Sequence, residues 1–130
     1  MPVDLVRSPD LTDAAPYAYA SVVSAGSLVF TAGACPLDAE GVIGPPGDVP
    51  GQAARVMANL VTALAAAGAS LTDVAKTTVY VATSDRADLT AAWEVVRSAF
   101  GEHDAPSTLL SVPVLGWPGQ LVEVEAVAAV

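Results

Sequence analysis

The chain has 130 residues, 53% hydrophobic and 15% charged, with a formal net charge of −9. Its basic residues, Arg7, Arg55, Lys76, Arg86 and Arg97, form no cluster, so there is neither a phosphate-neutralising patch for nucleic acid nor a basic face for an anionic membrane. One cysteine excludes an intrachain disulfide, and the length suits a single domain, 1–130, with more apolar surface than one small core hides, so copies of the chain are expected to cover it.

Residues 1–15, with Pro2 and Pro9, are expected to form an arm and show no basic-then-apolar leader. Tyr17 to Ser24 is strand-like, with Tyr17, Tyr19, Ser21 and Val23 on one side. Ala25-Gly26 supplies a turn and Leu28 to Thr31 a second strand, so these two strands are predicted to pair as a hairpin. Gly33 to Pro50 holds many glycines and prolines, including Gly44-Pro45-Pro46-Gly47, and is predicted to be a loop of a length that often carries function.

From Pro50, Ala53, Val56, Met57, Leu60, Leu64 and Ala67 recur at helical spacing, with Pro50 suited to the first turn and Gly68 to the stop. The charge-free run 56–72 contains Asn59, Thr62 and Gly68 and is too short and mixed for a membrane span. A soluble cytoplasmic protein is therefore the expectation. Val74 to Ala82 is β-branched and aromatic, a third strand. Asp85 is placed to cap a second helix whose stripe is Leu89, Trp93, Val96 and Phe100 and which ends at Gly101. Trp93 is assigned to packing. Ser107 to Val114 and Gln120 to Val130 are the last strands, joined through 115–119.

The order is ββαβαββ, an α+β chain with both helices on one face of a mixed sheet. The other face carries many apolar side chains and needs a cover. The run Leu121 to Val127 alternates with period two, placing Val122, Val124 and Ala126 on one face and Glu123 and Glu125 on the other. Those acids are either a solvated edge or include a carboxylate that lines a cleft and moves protons.

No metal or cofactor is expected. His103 is the sole histidine and Cys35 has no cysteine partner. A Ser-His-Asp triad would have to run through His103, in the loop after a helix, and no glycine-rich loop stands between a strand and a helix to hold phosphate.

Pro16-Tyr17, Thr31-Ala32-Gly33 with Pro36, the run from Leu64 through Gly68-Ala69-Ser70 to Val74, Lys76 to Tyr80, Ser107-Thr108 and Val122 to Ala126 together resemble the Rid family of reactive-intermediate (enamine/imine) deaminases, formerly named endoribonuclease L-PSP. The likeness spans nearly the whole chain. It implies a chorismate-mutase-like fold and a homotrimer whose sheets form a central barrel, with three clefts between subunits. It also implies hydrolysis of an imine or enamine, such as 2-aminoacrylate, to an oxo compound and ammonia. By resemblance Glu123 is the water-orienting carboxylate and Tyr17 the cleft tyrosine. Gly33 to Cys35 form the loop facing substrate, Leu89 stands where a cleft phenylalanine is common, and Ser107 and Thr108 follow the position of an arginine that binds the substrate carboxylate.

Here that arginine is Pro106, which has neither a cation nor a backbone N–H. Losing two charge-assisted bonds of about 1.5–3 kcal/mol each would weaken carboxylate binding about a hundredfold or more. Among the other bases none is an obvious stand-in, and Arg7, on the arm, is the one candidate left to reach in. Trp117, in an apolar loop slightly longer than usual, is either a cleft wall or a packed surface turn. Cys35 replaces a usually aliphatic residue and is either a small buried hydrophobe or a cleft thiol. The functional expectation is an enzyme acting on a small C=N or enamine compound, not a typical 2-aminoacrylate deaminase. The alternative is a non-catalytic trimer that binds a small ligand or a partner. Ribonuclease activity is opposed by the charge.

Overall fold

The computed structural model describes residues 2–130. Its centre is the antiparallel pair β4 (Val74–Ala82) and β6 (Val122–Ala129), the two longest strands. β3 (Leu28–Phe30) adds antiparallel to β6. β5 (Ser107–Val112) adds parallel to β4, giving the order β3-β6-β4-β5. A parallel neighbour needs a long crossover, and α2 (Arg86–Phe100) supplies it. α1 (Val49–Ala66) packs beside α2 on the same face, making the predicted two layers of helix on mixed sheet.

Strict alternation decides which side chains meet the helices. Val79, Val81, Val122, Val124, Ala126 and Ala128 are buried against Val56, Leu60 and Leu64 of α1 and Ala92 and Val96 of α2. On the far face lie Lys76, Thr78 and Tyr80 of β4, with Val127, Glu125 and Glu123 of β6 as their respective register partners. Phe30 at the sheet edge is 71% exposed. Among the described residues no helix is long and apolar enough to cross a membrane.

The ends of α2 follow the predicted chemistry, and α1 adds a cap, Asp48, that the sequence reading does not single out. Asp48 and Asp85 cap α1 and α2 by accepting from the backbone N–H of Gly51 and Ala87, each at 2.9 Å. Gly101, at φ +62°, closes α2 in a conformation that side chains disfavour.

Two expectations are corrected. The arm contains a strand, β1 (Val3–Val6), and it pairs with β2 (Ala20–Val23) in a separate two-stranded sheet. The predicted hairpin between residues 17–24 and 28–31 does not form, because the turn at Gly26 sends β3 to β6 instead. Ser27 and Val130 exchange backbone bonds at 2.7 and 3.0 Å there. Val3 and Leu5 give β1 an apolar side that packs on Ala75 and Ala129, so burial of the arm competes successfully with the local turn.

The apolar stripe of α1 also carries a fully buried Gln52. Its Nε2 donates to Pro45 O (3.0 Å) and Gly119 O (3.1 Å), and its Oε1 accepts from Leu121 N (2.7 Å). Two turns on, Asn59 Nδ2 donates to Cys35 O (2.8 Å) and Leu37 O (2.9 Å). One side of α1 thus fastens both loops that flank Glu123. Gln52→Leu keeps the volume but removes the partner of Pro45 O, Gly119 O and Leu121 N, of which Gly119 is exposed and the other two are half-buried; with about 0.5–1.5 kcal/mol for each lost hydrogen bond, we expect a loss of about 1.5–4 kcal/mol in urea unfolding. A loss under about 0.5 kcal/mol, the usual range for surface changes, would mean that water replaces all three bonds.

Candidate functional site

β6 projects Glu123 from the far face of the sheet, directly across from Tyr80. Residues 33–35 run beside it, because Ala34 and Val124 exchange backbone bonds at 2.7 and 3.2 Å. This bridge sets Gly33 and Cys35 against the Glu123 side chain. Cys35 Sγ donates to Glu123 Oε1 at 3.3 Å, with Gly33 O a second acceptor at 3.5 Å. Gln120 Nε2 donates to the same Oε1 and to Val122 O, both at 3.1 Å, while its own Oε1 accepts from Trp117 N at 3.2 Å. One carboxylate oxygen therefore holds two donors. The other, Oε2, lies over Gly33, where an added Cβ would stand 2.3 Å from it. Only glycine leaves that oxygen its space.

The Cys35 thiol is pushed up from its ordinary value, first by burial and then by the Glu123 carboxylate, with hydrogen bonds from Gln120 and Trp117 pulling the other way. At neutral pH it is a protonated donor to Glu123, not a thiolate. Glu123→Gln removes a negative charge that disfavours the thiolate, so the Cys35 pKa should fall and alkylation by iodoacetamide at pH 8 should speed up. Slower alkylation of that variant would refute the arrangement.

Glu125 sits two residues along the strand, held by a bond from the Tyr80 hydroxyl to its Oε1 at 2.8 Å. The same bond pushes the Tyr80 phenol up. Lys76 Nζ donates to Thr108 Oγ1 and Thr77 O, each at 2.8 Å, and burial pushes its pKa down against the pull of Glu125.

A second cluster forms elsewhere on the chain. Tyr17 packs edge-on to Trp93 with ring centroids 6.2 Å apart, and also to Tyr19 at 6.1 Å. Pro16, Tyr17, Trp93, Ser107, Thr108 and Leu109 line an open pocket of about 580 Å³. Ser107 and Thr108 point to opposite faces of β5. Ser107 turns toward the helices and accepts from Thr77 Oγ1 at 2.7 Å, and Thr108 turns to Lys76 on the far face. Leu89 packs, partly buried, against the main core, and Trp93, one turn later on α2, walls this pocket.

Of the predicted residues, then, Gly33, Cys35 and Trp117 gather at Glu123, while Tyr17 and Ser107 stand in the second cluster. Gln120 was missed. Its signal was a polar side chain opening an apolar strand three residues before Glu123, and it is 3% exposed. Arg7 does reach from the arm, but its guanidinium pairs with Asp104 and bonds Ala15 O. Pro106 is buried, its carbonyl accepting from Thr77 N at 3.0 Å. His103 Nε2 lies 2.7 Å from Val74 O, and a carbonyl there requires that nitrogen to be the donor; the ring also stacks on Phe100. That is a structural role. Among the described residues no three His, Cys, Asp or Glu side chains gather as a metal group.

Comparison with known proteins gives consistent results. The family described as Endoribonuclease L-PSP matches residues 11–130. A RutC family protein of Pyrococcus abyssi is 36% identical over 110 residues, 85% of this chain and 84% of its own. The Escherichia coli (strain K12) protein named reactive intermediate deaminase TdcF is 37% identical over 113 residues, 85% of this chain and 84% of its own. Among solved structures, the Rid-family protein YyfB of Yersinia pestis superposes with a TM-score of 0.93 over the whole of both chains at 26% identity. Escherichia coli TdcF with bound serine gives a TM-score of 0.68 at 31% identity, covering 97% of this chain and 98% of that one.

Proposed function

The chain belongs to the Endoribonuclease L-PSP family, the Rid proteins, and we propose that it is an enzyme that hydrolyses a small imine or enamine at Glu123. The observation that carries this is the carboxylate itself. Oε1 is held by Cys35 and Gln120, and Oε2 is left bare over Gly33. A carboxylate fixed by one oxygen is set to use the other as a proton acceptor. In the proposed reaction water, oriented by Oε2, adds to the carbon of the C=N bond. A C–O bond forms, the C=N π pair moves to nitrogen, and the proton from water passes through Oε2 to that nitrogen. The carbinolamine then collapses to a carbonyl compound and ammonia or an amine. An enamine enters the same path once protonated at carbon. TdcF, named a reactive intermediate deaminase, supports this class of chemistry by relationship.

We place the working cleft between copies of the chain, where the Tyr17–Trp93–Ser107 cluster of one subunit meets Glu123 of the next. The exposed Phe30 and the apolar members of the far sheet face favour such an association. Light scattering after size exclusion should give about three times the 13.0 kDa chain mass. A stable monomer would overturn the shared cleft.

A non-catalytic binding protein is the competing function, and a buried Pro106, at the position where the resemblance implies a carboxylate-binding arginine, favours it. A panel of carboxylated and carboxylate-free imines decides between them. Hydrolysis of neither class would leave binding as the function. Full activity on 2-aminoacrylate, generated in place by a dehydratase, would instead show that another group holds the carboxylate. The net charge of −9 opposes a ribonuclease role.

A further inference from the structure

We propose that the Glu123 site selects a cation without a carboxylate: a protonated imine or amine whose nitrogen bonds Glu123 Oε2 and whose apolar body lies on the Trp117 indole. The inference rests on the function proposed above and names its substrate class.

Three observations carry it. The first is the donor count at Glu123. Two donors already occupy Oε1, so the two lone pairs of Oε2 remain open, enough for the attacking water and one N–H of the ligand, and an ionised carboxylate only accepts. A protonated nitrogen meets that demand with a charge-assisted bond.

The second is the charge around the site. Glu125 adds a further negative charge two residues away. The five bases are engaged or placed elsewhere. Arg7 pairs with Asp104 and Arg97 stands by Glu94. Arg55 sits at Gly44 near Asp38, and Arg86 opens α2. Lys76 shares the far face but is opposite Val127, four residues along the ladder from the Tyr80–Glu123 pair, with its ammonium bonded to Thr108 and Thr77. Within its own subunit, a ligand carboxylate at Glu123 would enter a negative field with no unengaged cation beside it.

The third is the wall. Trp117 is 48% exposed, and its backbone N–H donates to the same Gln120 whose amide bonds Glu123 Oε1, so it stands beside the site. Beside it Ala82, Val114, Leu115, Trp117, Pro118 and Leu121 line an open cavity of about 430 Å³ that is apolar apart from the backbone and Gln120. Carboxylate and indole together suit a cation carrying hydrocarbon, because the ring face attracts positive charge and the cavity takes the apolar remainder.

The test uses three five-membered-ring probes titrated into the full chain and followed by the Trp indole N–H and backbone amide resonances. Pyrrolidine is a cation at pH 7 and a stable stand-in for a protonated cyclic imine. Proline is the same ring with a carboxylate. Cyclopentanol is neutral. Pyrrolidinium should bind most tightly, with proline and cyclopentanol each weaker by about tenfold or more, the range of one charge-assisted bond. Glu123→Gln should weaken pyrrolidinium by about ten- to a hundredfold, and Trp117→Leu should weaken it too, while Glu125→Gln, which removes a more distant charge and no direct bond, weakens it by less than either. The amide spectrum of each variant reports whether it is folded, and the Trp117→Leu arm stands if Glu123→Gln misfolds. Proline binding as tightly as pyrrolidinium overturns the proposal, as does no saturable binding of pyrrolidinium, or pyrrolidinium binding indifferent to Glu123 and Trp117. Hydrolysis assays separate the two ideas. Glu123-dependent hydrolysis of carboxylated imines only would sink the cation proposal and keep the function, whereas imine hydrolysis indifferent to Glu123 would sink the function.

Discussion

Glu123→Gln is expected to lower turnover of the imine substrate by about 10²–10⁴-fold, the usual contribution of a positioned proton-transfer group, in a protein that still folds. The swap preserves length and keeps an oxygen for the Cys35 and Gln120 donors that now meet Oε1, but it removes the capacity to take a proton. Half-exposed and bonded to two side chains, Glu123 holds no buried backbone group in place, so little stability is at stake. Glu125→Gln should cost much less. Its Oε1 accepts from the Tyr80 hydroxyl, an amide oxygen keeps that bond in a weaker, neutral form, and Glu125 lies roughly 6–7 Å further along the strand. Equal losses in the two variants would mean the acids act as a pair. No loss in either would return β6 to a solvated face without chemistry.

How far the sequence foretells this site depends on whether a feature is local. The alternation of β6 is local, and it placed both acids on one face without any knowledge of the partner strand. The cap Asp85 and the closing Gly101 are local in the same sense. Strand partnership is not. Residues 17–24 and 28–31 carry the pattern of a hairpin, yet β2 joins β1 and β3 joins β6, because periodicity reports faces and says nothing of neighbours.

The same distinction separates the site residues. Cys35 and Gly33 were placed near Glu123 by resemblance, but the hydrogen bond between thiol and carboxylate depends on a two-residue bridge formed across 90 residues of chain. Gln120 and Gln52 bear no motif. They are polar residues in apolar surroundings, whose meaning appears only when their bonds are traced to Trp117, Val122, Gly119 and Leu121. Trp93 was assigned to packing by its helical spacing, and it does pack. A pocket wall and a core contact are the same residue seen from two sides.

Gly33→Ala should be nearly as damaging as removal of the carboxylate, although it touches no reacting atom. The added Cβ would stand 2.3 Å from Glu123 Oε2 and 2.5 Å from its Cδ, far inside van der Waals contact. What must yield is the flexible end of a side chain, not backbone. Gly33 is outside the left-handed region, so alanine fits the backbone there and, by restricting the unfolded chain, should leave stability within about 1 kcal/mol of the parent. The carboxylate instead swings away from Cys35 and Gln120 and loses the place where Oε2 meets water. We expect a fall in turnover of about 10²-fold or more with an unchanged denaturation midpoint. Freed from the neighbouring charge, Cys35 should be alkylated faster, as in Glu123→Gln. The double variant separates this mechanism from general damage. If alanine acts only by displacing Glu123, adding Glu123→Gln to Gly33→Ala costs little more than either change alone. Fully additive losses, or a Gly33→Ala protein with parental activity, would show that Glu123 does not work from the position it holds over Gly33.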